Sequence, residues 1–429
     1  MKRTAVFLPL VLLSWVWLAA QTPQGRISGR VSDETGAVIA YASVTILNEG
    51  TGIQRVLETN AVGEYVAPNL TPGLYTIVVN APSFRRFERK GLRLEVATDI
   101  RADFALKPGA ATEVITVTGE QALVDTVTDQ LGGTLTNKFI NELPLQGRDF
   151  QNLLGLRPGM QRTPGGGFHS VTSNGNRLED NNYIVDGVDD NDIYYGETVI
   201  NDAGVQGTPA SHLPLDAIQE FNTEQNQSAD YGWKPGAVVN IGLKSGTNQY
   251  HGTGYYFHRN SAFDARNYFN PAPQALSDLL LHEFGASTGG PIIKDKWFIF
   301  GAYEGVRHKV GNPYNVESPV TTSIGDPDVS IVDAAAAAGC PGSCSPVSLQ
   351  LAQLFLPNPG NTTTTSDAAA INFNFDNHNR EDNFVIKSDY HLGTKHVIAG
   401  RYFYANSLQT EEDTAPSGRN GCPSPTPLQ

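Results

Sequence analysis

FGASTGGPIIKDKWFIFGAYEGVR, residues 284–307, decides the fold class. Glu283 to Pro291 reads as one strand and Lys296 to Val306 as a second, with IIKDK as the tight turn between them. Working outward, Gly252 to His258 is an aromatic-rich strand, followed by a polar, proline-containing loop from Asn260 to Leu281. A long Ala/Thr/Pro-rich loop is expected from Arg307 to Glu381. Two more strands follow, Asp382 to His391 and His396 to Ala405, joined by the short turn LGTK. Short turns thus alternate with long loops.

Side-chain period agrees with half-buried strands. Phe384, Ile386 and Tyr390 fall on one face, and Lys387, Asp389 and His391 on the other. Ile398, Tyr402 and Tyr404 likewise oppose Arg401. Apolar-out and polar-in is the pattern of a transmembrane barrel, and Trp297, Tyr303, Tyr402 and Tyr404 suit an interfacial aromatic girdle. A soluble sandwich gives the same alternation, so period alone leaves both open.

Composition narrows the classes. The 429 residues hold 43 glycines and 26 prolines, and only 17% are charged, which excludes a coiled coil and favours a turn-rich β protein. The net charge is −14. Residues 21–110 are near neutral, with ten Lys/Arg against nine Asp/Glu, whereas residues 111–429 carry 18 against 35. That step marks two differently built parts, and the acid excess argues against nucleic acid as a partner.

Residues 1–20 read as a signal peptide: Lys2 and Arg3, an apolar run from Ala5 to Leu18, then Ala19 and Ala20 before Gln21. The run is short of the ~20 residues of a spanning helix and Pro9 interrupts it. No later stretch reaches ~18 consecutive apolar residues, so membrane insertion must use strands. In an exported chain Cys340 and Cys344 are a possible disulfide pair in a short loop, and Cys422 has no obvious partner.

Residues 24–108 alternate strand and turn about every ten residues, with turn chemistry at Asp33 to Gly36, Asn60 to Gly63 and Pro72-Gly73. They read as a small β-sandwich. Arg85, Arg86, Arg89, Lys90 and Arg93 form a basic cluster, read as a solvated face in preference to a binding patch. In the linker 109–120, Glu113, Val114, Ile115, Thr116, Val117 and Thr118 form a β-branched run. It reads either as one more strand of the sandwich or as an exposed strand that adds to another protein's sheet.

Residues 121–246 mix motifs. ELPLQGRDFQNLLGLRPGM (142–160) is expected to hold a short helix with Phe150, Leu153, Leu154 and Leu156 on one apolar face. SNGNRLEDNNYIVDGVDDND (173–192) contains a hairpin signal. Asp186, Asp189, Asp190 and Asp192 do not fit a calcium loop, because Gly187 follows the first acid directly. Asn181, Asn182, Asp186, Asp189 and Asp190 are candidate ligand contacts.

Catalytic motifs are weak. Gly285-Ala-Ser287-Thr-Gly289 matches a nucleophile elbow, but a second strand follows where a helix is needed. His378-Asn-Arg-Glu381 matches half of a zinc site and reads as a chance match in a polar loop. No catalytic residue, metal site or cofactor is assigned, and the chain is not expected to be an enzyme.

Two resemblances organise these readings. Gly29-x-Val31-x-Asp33-x-x-Gly36, Ala42-x-Val44, Thr59-Asn60-x-x-Gly63-x-Tyr65 and Leu70-x-Pro72-Gly73-x-Tyr75 resemble the carboxypeptidase regulatory-like domain, which implies a transthyretin-like sandwich of the carbohydrate-binding-like kind. The phrases of residues 142–160, 173–192 and 216–248, with YYFHRNSAFDARNYFN (255–270) and residues 284–307, resemble the Oar-like subfamily of TonB-dependent outer-membrane receptors. That resemblance implies an α+β plug over 121–246, the first strands of an antiparallel transmembrane β-barrel over 247–429, and a TonB-contacting strand at Glu113 to Thr118. The expected fold is mainly β: sandwich, plug, then an incomplete barrel, since about five strands are read where large transporters close with about 22.

The implied function is TonB-dependent movement of a large carbohydrate, peptide or protein cargo through a plugged barrel. The chain would lie in the outer membrane against its lipid, with the N-terminal domain in the periplasm. The alternative is a secreted or periplasmic carbohydrate- or peptide-binding sandwich with a truncated barrel. A chain that is one part of a longer protein is expected.

Overall fold

Turn-forming side chains shape the N-terminal region. The Asp33 carboxylate accepts from the Thr35 and Ala37 backbone N–H groups, each at 2.9 Å. Asn60 Oδ1 accepts from Val62 and Glu64 N–H at 3.0 and 2.8 Å. Gly36 and Gly63 follow these caps in left-handed conformation, at φ +86° and +75°. The computed structural model describes residues 25–109, 114–118, 131–143, 148, 150–162, 171–194, 196, 198–200, 211–225, 231, 234–265, 278–319, 362–365, 368–393 and 396–410.

Strands β1 (Gly25–Asp33), β2 (Ser43–Asn48), β3 (Gln54–Glu58), β4 (Glu64–Leu70), β5 (Gly73–Asn80), β6 (Arg86–Leu94), β7 (Asp99–Arg101), β8 (Phe104–Leu106) and β9 (Val114–Thr118) build the sandwich. One sheet runs β4-β1-β7, with β8 also on β1, and the other runs β3-β2-β5-β6-β9. Alternate residues enter a core that includes Ile27, Val44, Ile46, Ile77, Leu92 and Phe104. Each fully buried aliphatic or aromatic side chain there contributes about 1.5–3 kcal/mol. The β-branched run of the linker is thus an edge strand, parallel to β6 with Arg86 opposite Val114 and Lys90 opposite Thr118.

The central region contains β10 (Gly132–Thr136), α1 (Asn137–Glu142), β11 (Met160–Arg162), β12 (Val171–Ser173), β13 (Asn182–Val185), β14 (Val188–Asp189), β15 (Ile218–Glu224) and β16 (Val238–Leu243). Its main sheet has the order β10-β15-β16-β13-β14. Every residue of β16 is buried, as a central strand covered on both faces requires. The expected short helix is a 3-10 helix, Phe150–Leu156, with Phe150, Leu153 and Leu154 buried. Leu156 departs from expectation: it is 65% exposed, because it ends the helix just before the turn at Arg157 to Gly159.

The last strands are β17 (His251–Asn260), β18 (Leu279–Ile293), β19 (Trp297–Pro319), β20 (Thr362–Thr365), β21 (Ala368–Leu392) and β22 (His396–Thr410). They form one open sheet, β17-β18-β19-β21-β20, with β22 also on β21. β19 and β21 extend well into the stretch read as a single long loop, and β20 lies inside it; regular alternation fades there, so the pattern underestimates the strands. His378 and Glu381 accordingly sit on β21 and not in a loop.

Contacts divide the chain into two compact units: Met1–Thr253 with Ala286–Tyr303 and Asn383–Tyr404, and Gly254–Gly285 with Glu304–Asp382 and Ala405–Gln429. Within the first, Phe300, Ala302 and Val385 join the core of the central region, and Phe403 packs against it. Trp297, Ile299, Tyr303, Tyr402 and Tyr404 lie on the opposite face of their strands, as the alternation requires; Tyr402 and Tyr404 are 60% and 50% exposed.

Candidate functional site

The hairpin β13–β14 places the site. Its two turn residues, Asp186 and Gly187, have φ +49° and +83°, the paired left-handed conformation of a type I′ turn, which Asp-Gly favours. The turn holds Asp186 in the core, only 4% exposed, with its N–H on the Ile241 carbonyl at 2.6 Å. Two cations reach it from consecutive strands of the open sheet. Lys387 Nζ on β21 lies 3.1 Å from the carboxylate and also donates to the Leu243 carbonyl at 3.2 Å. Arg401 Nε on β22 donates to the same carboxylate. Burial opposes ionisation of Asp186, but the Lys387 ammonium and Arg401 guanidinium outweigh it and hold its carboxyl below the ordinary value.

A second buried acid, Asp216, is held by one cation and two hydroxyls. Asp216 accepts from Lys244 Nζ at 2.7 Å and from the Thr253 and Ser287 hydroxyls. These donors outweigh its burial and keep the carboxyl below its usual range. Ser287, the centre of the nucleophile-elbow match, is therefore a buried strand residue that serves Asp216. Ser245 donates to Asp389 on β21, and the His212 N–H donates to Asn383 Oδ1 at 3.1 Å. Of the polar positions of β21 expected to face inward, Lys387 and Asp389 thus bind the central region, whereas the His391 ring packs against Phe298.

The other candidate ligand contacts hold the hairpin. Asn181 Nδ2 donates to the Val171 carbonyl at 2.7 Å and its Oδ1 accepts from Ala237 N–H at 3.1 Å. Asn182 Nδ2 donates to the Tyr231 carbonyl at 3.0 Å. Asp190 accepts from the Thr198 hydroxyl at 2.6 Å and the Ile200 N–H at 3.2 Å, while burial pushes its carboxyl up to about 7. Of the five, Asp189 alone is exposed, close in sequence to the exposed Ile193 and Tyr194, which no pattern in the sequence singled out.

A third contact was also illegible: Glu220 on β15 accepts from Val96 N–H at 2.6 Å and from Arg93 Nη2 at 3.0 Å, joining the sandwich to the central region. Burial raises its carboxyl despite Arg93. Asn248 Nδ2 adds a bond to the Thr51 carbonyl at 2.7 Å. Glu113, Cys340, Cys344 and Cys422 lie outside the described residues, as does the signal-peptide stretch.

Comparison with known proteins gives these contacts a setting. Residues 26–107 match the carboxypeptidase regulatory-like domain, and residues 242–426 match the outer membrane beta barrel domain. The TonB-dependent transporter Oar of Myxococcus xanthus is 27% identical over 336 residues, 74% of this chain. The chain is similar to the Oar-like TonB-dependent transporters. It spans 30% of that transporter's length. A ferric enterobactin receptor from Pseudomonas aeruginosa, solved with enterobactin, is similar over 66% of this chain and 34% of its own, at 13% identity and a TM-score of 0.38. A catechol 1,2-dioxygenase from Acinetobacter radioresistens is similar over 23% of this chain and 56% of its own, at 14% identity and a TM-score of 0.17. The barrel domain places this receptor relative in the outer membrane. Lys387, Asp389 and Arg401 lie on the face of the open sheet that meets the central region, and Trp297, Tyr402 and Tyr404 on its opposite face.

Proposed function

We propose that the chain works as a TonB-dependent transporter, with residues 121–246 as a plug that closes a barrel to a large cargo. The observation that carries this reading is the Asp186 carboxylate bound by Lys387 and Arg401 from two neighbouring wall strands. A buried acid clasped by the wall gives a plug two discrete states, seated and displaced, as gating requires. Energy would come from TonB acting on Glu113 to Thr118, by strand addition. Asp189, Ile193 and Tyr194 offer an exposed polar and aromatic surface for first contact with a carbohydrate, peptide or protein cargo. The sandwich, by the same reading, lies in the periplasm.

The test is a pull-down of the full chain with the periplasmic domain of TonB. Val117→Pro removes a backbone donor and is expected to abolish capture. Equal capture of wild type and variant would remove the tether assignment.

A further inference from the structure

The β-branched tether strand does not stand alone. β9 forms the edge of the five-stranded sheet β3-β2-β5-β6-β9, with five register pairs to β6. β6 is the strand that carries Arg86, Arg89, Lys90 and Arg93, most of the basic cluster for which the transport reading has no use. The segment it holds is uncharged from Val114 to Thr118 and has an acid just before and shortly after, Glu113 and Glu120. A strand uses one edge for each neighbour. Among the described residues β9 pairs with β6 on one edge and ends the sheet on the other.

We propose that the sandwich presents this strand to its partner: TonB adds to the outer edge of β9, so that its strand becomes the next member of the sandwich sheet. The partner then meets a composite surface, the tether strand backed by the basic edge of β6. A free linker would have to be ordered residue by residue at the moment of capture, a cost that β6 has already met on folding. This inference rests on the TonB reading above, and its experiment separates the two.

The experiment locks β9 in place. Phe87 packs into the sandwich core beside Phe104, so the next residue, Glu88, lies on the outer face of β6, and Lys90 pairs with it there at 3.3 Å. Their register partners are Thr116 and Thr118. Full chains carrying Glu88→Cys with Thr116→Cys, or Lys90→Cys with Thr118→Cys, are made in a background with Cys340, Cys344 and Cys422 changed to serine. Both pairs are expected to cross-link on mild oxidation, and the out-of-register pair Glu88→Cys with Val117→Cys is not. The cross-linked chains are expected to bind the TonB periplasmic domain at least as tightly as their reduced forms.

Failure of both in-register pairs to cross-link would overturn the docking of β9 on β6. Tenfold or greater loss of binding on oxidation, restored by reductant, would show that the strand must leave β6 first and would overturn presentation. Absence of binding by the reduced chain and by the wild type would instead remove the TonB reading, and presentation with it, while leaving the cross-linked strand pair in place.

Discussion

Asp186 and Lys387, 201 residues apart in sequence, form a buried ion pair with 3.1 Å between carboxylate and ammonium. Arg401 completes it from the next strand. Taking such groups out of water is costly, so the pair contributes more to specificity of seating than to net stability, whereas removing one partner strands the others. Asp186→Asn keeps a side chain that tolerates the left-handed turn and removes only the charge. It is expected to destabilise the first unit by about 3–5 kcal/mol. Limited proteolysis of the central region in detergent measures this; unchanged protection would count against the pair as the seat of the plug.

Lys387→Met should cost less than Asp186→Asn. The acid keeps Arg401 and the methionine fills much of the lysine stem's volume, leaving the Leu243 carbonyl without its lysine donor. The order of the two variants in a denaturant series is the readout, and the reverse order would contradict the geometry.

Asp190 and Glu224 predict a pH profile opposite to that of Asp186. Burial raises both carboxyls to about 7 in the fold. Their contribution to stability is fully present below the unfolded value of about 4 and is lost as pH rises through about 7. Asp186 and Asp216, held below their usual range, contribute stability above the unfolded value that is lost in acid. Asp190→Asn and Glu224→Gln should therefore flatten the decline between about pH 4 and about pH 7, read as hydrogen-exchange protection of β16.

Glu220→Ala should loosen the sandwich from the central region. The Val96 N–H and the Arg93 guanidinium lose a shared acceptor, at a cost of about 1–3 kcal/mol. Arg93→Ala should cost less, because the Arg93 side chain is 41% exposed, so water already competes for its guanidinium, and Glu220 keeps the Val96 N–H. Exchange of the Val96 amide reports both; equal protection in all three proteins would exclude the contact.

Gly29→Ala tests the sandwich. A Cβ there would land on the Ala102 carbonyl, part of the close approach between β1 and the segment joining β7 to β8. Backbone cannot yield as a flexible side chain can, so the expected loss is several-fold that of Gly91→Ala, where φ is +72° but the space is open. Thermal melts of the two variants make the comparison.

What the sequence revealed follows the range of its signals. Turn caps such as Asp33 and Asn60 act within four residues, and strand alternation within ten, so the sandwich and the inner ends of β19, β21 and β22 were legible. Alternation also put Lys387, Asp389 and Arg401 on the correct face of their strands. It could not name their partners, because Lys387 meets Asp186, and Asp389 meets Ser245, only through tertiary packing. Composition made Asn181, Asn182 and Asp186 candidate ligand contacts but could not show that each is buried and hydrogen-bonded within the fold. Glu220 carried no local signal at all. For the tether strand the residues allowed two readings, and backbone pairing to β6 shows that the segment is a strand of the sandwich.

The hairpin turn at Asp186 has a consequence for how the protein is made. The chain leaves a synthesis or export channel from its N-terminus, so the acid emerges roughly two hundred residues before either cation that neutralises it. During that interval the turn can form, but its carboxylate has no partner on hand and stays in water, and the surrounding apolar surface stays partly uncovered. Closure of such distant contacts is slow. The central region is thus built to finish late, after the strands that carry Lys387 and Arg401.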